Sequence, residues 1–95
     1  MFVVLLRFSG NKSKAPDHMD GHNAWLKRGF NDGVFLLAGS LQPGLGGGIV
    51  ADNTSLADLQ NRVNDDPFVS EDVVRAEVLE IAVAKTDRRL DFLRN

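Results

Sequence analysis

Two histidines, thirteen carboxylates and no cysteine set the chemistry open to this chain. Without a thiol there is no thiolate nucleophile, no disulfide and no cysteine-based zinc site. Imidazole and carboxylate remain. His22 shares the i, i+3, i+4 spacing of one helix face with Trp25, Leu26, Gly29 and Phe30, which predicts an imidazole turned inward. Imidazole titrates near pH ~6.5, so it can accept and release a proton at neutral pH. A carboxylate within hydrogen-bond reach would fix its tautomer and raise its basicity. Asp66 is the candidate, because Pro67 disfavours helical geometry at the residue before it. The adjacent Asp65 competes for that role, or is simply a solvated residue at a helix end. The alternative for His22 is a core histidine bonded to a backbone carbonyl.

The other candidates divide between chemistry and architecture. Ser40 either donates a hydrogen bond to a substrate oxygen or ends a strand. His18 and His22 stand at i and i+4, a spacing that can hold a metal, but no second His or Cys cluster accompanies them, and no metal or other cofactor is expected. The segment Gly44 to Gly48 lacks the Gly-Lys-Ser/Thr ending of a phosphate-binding loop and reads as a hairpin. Trp25 and Phe30 read as core.

These residues must be held by a small number of elements. Phe2 to Phe8 is apolar, rich in branched side chains and closed by Ser9-Gly10-Asn11, the pattern of a strand. Pro16-Asp17 predicts a helix start with Asp17 as cap, and Asn31-Asp32-Gly33 predicts its end. Val34 to Leu41 reads as a second strand, Pro43 to Gly48 as a glycine-rich connection and Ile49 to Ala51 as a short third strand. Ser55 or Thr54 caps a second helix with a buried stripe of Leu56, Leu59 and Val63, ending near Asn64 or Asp65. Val73 to Lys85 reads as a long last strand, and Thr86 to Asn95 as a short helix or docking tail. The order is βαββαβ: one α+β, ferredoxin-like domain over residues 1–95, an antiparallel sheet with two helices on one face.

Pieces of this chain, in order and at matching spacing, resemble the YCII-related domain family. They are His22 through Leu26, Leu37-Ala38-Gly39, Gly47-Gly48-Ile49-Val50, Ser55-Leu56 and, most of all, Asp65-Asp66-Pro67-Phe68-Val69. The resemblance spans about residues 1 to 85. It implies a dimeric ferredoxin-like α+β barrel akin to muconolactone isomerase, whose members are proposed to use a His–Asp pair. One relative is similar to a dehydrochlorinase acting on a chlorinated hydroxyhydroquinone. The family histidine corresponds to His22 and the aspartate of its Asp-Pro-Phe motif to Asp66. Ser40, where many relatives have proline, and Ser70-Glu71-Asp72, where a Gly-containing segment is usual, depart from the pattern, so substrate identity does not carry over.

Composition bounds what lies outside the site. A formal net charge of −2 with dispersed basic residues gives no reason to expect nucleic acid or an anionic membrane as partner. The apolar start is interrupted at Arg7, too early for a signal peptide, and no stretch approaches the roughly 20 apolar residues of a membrane span. A cytoplasmic protein is the expectation. Phe2 to Leu6 and Val34 to Leu37 are apolar without alternation, so the second face of the sheet needs a cover. A second copy of the chain is the expected one. The functional expectation is a cofactor-independent enzyme that shifts a proton on, or eliminates a group from, a small organic molecule. By the family resemblance that molecule is aromatic or lactone-like. A non-catalytic domain that binds a small ligand is the alternative.

Overall fold

A computed structural model describes residues 1–94, with four strands, β1 (Phe2–Phe8), β2 (Phe35–Leu41), β3 (Gly46–Ala51) and β4 (Val74–Glu80). Helices α1 (Ala15–Asn31), α2 (Leu56–Asn64) and α3 (Pro67–Ser70) complete it. The strands run antiparallel in the order β2-β3-β1-β4, with β1 central. This is the expected ferredoxin-like α+β arrangement, with α3 as an addition. On β1 the side chains of Phe2, Val4 and Leu6 are buried, and with Trp25, Leu59 and Phe68 they form the core between sheet and helices.

The helices follow local chemistry, with three corrections. Lys14, not Asp17, occupies the cap position of α1. The helix starts before Pro16, whose missing N–H costs nothing in a first turn, and Asp17 adds its charge inside that turn. Gly33, at φ +74°, takes the left-handed conformation that ends the helix. Trp25 and Gly29 are buried, and any Cβ on Gly29 would run into the Phe35 ring, so α1 lies directly on β2. Phe30 does not belong to the buried face. It stays 43% exposed with its ring edge-on to Phe35 at 5.9 Å, because the inward stripe is narrower than the apolar pattern suggests. In α2 the cap is Ser55, whose Oγ accepts from the Asp58 N–H at 3.1 Å. Leu59 and Val63 are buried, whereas Leu56, at the first helical position, lies past the end of the stripe and is exposed.

The strands depart from expectation in three places. The glycine-rich segment is not a long flexible loop. Gly46, Gly47 and Gly48 are strand residues paired with β1 on one side and β2 on the other. Gly46 sits at φ +135°, where a side chain would collide with the Leu6 carbonyl, so glycine permits a close backbone approach inside the sheet. Second, β2 carries an irregularity: Phe35 pairs with Ala51 but Leu37 with Val50, leaving Leu36 as an extra residue. The side-chain phase of β2 flips there, which no alternation in the sequence announces. Third, β4 ends at Glu80 rather than running to Lys85. Its neighbour is β1 alone, and the bond from Ile81 N–H to the Met1 carbonyl lies at the end of that pairing.

Beyond β4, residues 81–87 have no regular structure, and Arg88–Leu93 forms a short 3₁₀ turn that buries Leu93. Asp87 caps the turn. Bonds from the Arg89 side chain and then its backbone N–H hold the Asp87 carboxyl below the usual aspartate range. Of the expected tail, Asn95 lies outside the described residues. The other face of the sheet carries the apolar row Leu79, Val3, Val50 and Leu37 across all four strands. Leu37 is 56% exposed and Leu79 43%. Among the described residues no helix is long and apolar enough to cross a membrane.

Candidate functional site

Asp66 is the anchor of the site. Pro67 opens α3, and Asp66 stands before it with extended backbone at φ −64°, ψ 122°, as the cap of that helix. Its carboxyl Oδ1 accepts from the Phe68 N–H at 3.0 Å. The same oxygen lies 2.8 Å from Nδ1 of His22. Asp66 is fully buried, and its Oδ2 has no hydrogen-bond partner. Sequence reasoning missed α3 because four residues are too few to show a period. The Asp-Pro pair was the available signal.

His22 reaches this carboxylate from the middle of α1. Its ring lies flat on Phe68, with centroids 4.0 Å apart and planes 5° from parallel, and the Trp25 ring stands 5.8 Å away. The imidazole is therefore fixed by one hydrogen bond and one stacking partner. Oδ1 accepts from a backbone N–H, and as a carboxylate it accepts from a protonated Nδ1 of His22 as well. In that tautomer Nε2 keeps its lone pair, and it makes no hydrogen bond to any described residue. Such an arrangement can take a proton from a bound molecule, return it elsewhere, and spread the resulting charge toward a buried carboxylate.

His22 opens onto a cavity of about 310 Å³ between α1 and the inner face of the sheet. Its polar side chains are His22, Asn23 and Ser40. Its walls are otherwise apolar, with Leu6, Phe8, Met19, Leu26, Ile49, Phe68 and Val74. Ser40 reaches this wall because of the extra residue at Leu36. Counted by strict alternation from the buried Phe35, residue 40 would face the opposite side of the sheet. Gly47, paired with both Leu6 and Ser40, has no side chain to fill the space, so this glycine of β3 hollows the cavity as well as pairing the strands.

The remaining candidates lie elsewhere. Asp65 is exposed and ends α2, and it borders a separate polar groove with Arg28, Asn53, Asp58 and Arg62. Of the two adjacent aspartates it is Asp66 whose carboxylate meets His22. His18 does not line the cavity, and among the described residues no three His, Cys, Asp or Glu side chains cluster as metal ligands. Trp25 is core, its Nε1–H donating to the Arg62 carbonyl at 2.8 Å. Phe68, Asn23 and Met19 also line the cavity, a role the sequence alone does not assign them. Phe68 had a signal in its place two residues after Asp66; the other two show themselves only once α1 is docked.

Comparison with known proteins gives three findings. The family model described as YCII-related domain matches residues 1–82. No curated protein matches the sequence. Among solved structures, the fold is similar to that of 5-chloro-2-hydroxyhydroquinone dehydrochlorinase from Burkholderia phenoliruptrix, determined in complex with 2,5-dihydroxybenzoquinone. The TM-score is 0.70 at 16% identity, covering 88% of this chain and 96% of that one. At that identity the likeness is one of fold.

Proposed function

This chain belongs to the YCII-related domain family, and from that premise we propose that it is an enzyme moving a proton on, or eliminating a group from, a small ring-shaped organic molecule. The observation that carries the reading is the 2.8 Å contact between His22 Nδ1 and the buried Asp66 carboxylate, at the wall of a cavity of small-molecule size. His22 acts through Nε2 as general base and then general acid. Asp66 orients it and stabilises the imidazolium. Ser40 donates to a substrate oxygen across the cavity.

The step is balanced without a co-reactant. Nε2 takes a proton from carbon or oxygen of the substrate, and the bonding pair moves into the ring. In an isomerisation the proton is returned at another atom; in an elimination a leaving group departs with its electron pair. Such chemistry asks for a matched base and a site with little water, which is why the reading is cofactor-independent. The structural neighbour, a dehydrochlorinase in complex with 2,5-dihydroxybenzoquinone, binds an oxygenated six-membered ring, and its ligand and activity belong to this class and support it.

We propose further that the protein works as a homodimer through the open sheet face, where the row Leu79, Val3, Val50 and Leu37 would be covered. The functional test uses chlorinated and unchlorinated hydroxyhydroquinones as first substrates, followed by chloride release and absorbance. His22→Asn keeps a polar side chain but cannot exchange a proton near neutral pH, so it loses about 10²- to 10⁴-fold in rate while folding normally. A His22→Asn protein that turns over any such substrate at the parent rate overturns the proposal.

A further inference from the structure

Gly21 lies inside α1, where glycine is the least favourable residue apart from proline. It is exposed, has ordinary helical backbone, and ends no turn, so neither conformation nor burial accounts for it. Its one close neighbour does. A Cβ built on Gly21 would meet the Pro67 ring, 3.0 Å from Cγ and 3.6 Å from Cβ. Gly21 and Pro67 are the chain neighbours of His22 and Asp66, so this close approach of α1 to α3 lies beside the 2.8 Å contact. Asp66 cannot swing to follow a receding partner. Its Oδ1 is tied to the Phe68 N–H of its own helix, and the residue is fully buried.

We infer that Gly21 is a positioning residue: by having no side chain it sets the separation of α1 and α3 at which His22 Nδ1 reaches Asp66. The inference rests on the His22–Asp66 reading above. An added methyl must push the proline ring back by a few tenths of an ångström to reach ordinary contact. N–H···O bonds run from about 2.7 to 3.2 Å, so a shift of that size along the contact uses up its tolerance, and a branched side chain exceeds it.

The test reads the imidazole directly. With ¹⁵N-labelled histidine at a pH where His22 is neutral, nitrogen shifts report which ring nitrogen holds the proton. The parent shows the Nδ1–H form. Gly21→Ala shows a partial and Gly21→Val a larger shift toward Nε2–H, although the alanine protein melts no lower than the parent. Pro67→Ala alone sets the reference tautomer ratio, and Gly21→Val with Pro67→Ala returns to that ratio, because the space is restored. If the parent itself is not Nδ1–H, the dyad reading fails and this inference with it. A parent in that form with both Gly21 variants unchanged overturns the positioning role alone, and so does a shift that Pro67→Ala fails to reverse. Should Gly21→Val not fold, Gly21→Ala with and without Pro67→Ala decides by the same criteria.

Discussion

Replacing Asp66 separates its duties, and the structure sets their sizes. Asp66→Ala removes the cap of α3 and the acceptor for His22, both carried by Oδ1. Losing a capping side chain costs about 0.5–2 kcal/mol. It also strands the buried Phe68 N–H and leaves the part-buried His22 Nδ1 without its partner, at about 1–3 kcal/mol each. The first loss overlaps the Phe68 part of the second, and removal of the unpartnered Oδ2 offsets some of both. The expected net is about 2–4 kcal/mol, which for a chain of this length lowers the melting temperature by roughly 10–30 °C. Asp66→Asn keeps an acceptor at the Oδ1 position and places an NH₂ where Oδ2 was. It should cost less, about 1–2 kcal/mol, for a buried amide without an acceptor. Urea and thermal melts followed by circular dichroism give both numbers. An alanine variant within about 0.5 kcal/mol of the parent, or an asparagine variant less stable than the alanine one, would refute this division of roles.

Three further outcomes follow from the same geometry. Trp25→Ala should lose about 3–5 kcal/mol in urea melts, and Trp25→Phe about 1–2 kcal/mol, since the latter gives up chiefly the bond to the Arg62 carbonyl; equal losses would contradict that split. Ser40→Ala should weaken ligand binding by about 3- to 10-fold in titrations that read Trp25 fluorescence, with the melting point unchanged, which corresponds to one neutral hydrogen bond. At micromolar concentration, sedimentation should give twice the 10.4 kDa chain mass, and Leu37→Arg with Leu79→Glu should return the monomer. A parent that sediments as a monomer removes the dimer.

Much of the frame was legible because it rests on local rules. The apolar run of β1, the Ser55 cap and the Asp32-Gly33 ending of α1 each follow from a few adjacent residues, and such pieces in series give the βαββαβ order. His22 and Asp66 were legible as types of residue with suitable neighbours, and the Asp-Pro pair told which backbone geometry to expect. The misreadings share one physical origin: they depend on partners distant in sequence. Gly46 to Gly48 look like a loop until Leu6 and Leu41 press against them. β4 was read too long because its end is fixed by where β1 stops, not by its own side chains. Phe30 and Leu56 have the right spacing for burial but lie where the helix leaves the sheet.

The extra residue at Leu36 bears on how such a pocket diversifies. Along β2 beyond that point, Ala38 and Ser40 line the cavity while Leu37 points to the open face. Deleting one residue there would restore strict alternation and exchange the two sets, turning the next residues of the strand inward together. A single insertion or deletion thus rewrites several cavity positions in one event, without any substitution and without touching His22 or Asp66. Gaps near this point in relatives are therefore expected to accompany changes of ligand preference, which makes strand length a determinant of specificity alongside residue identity.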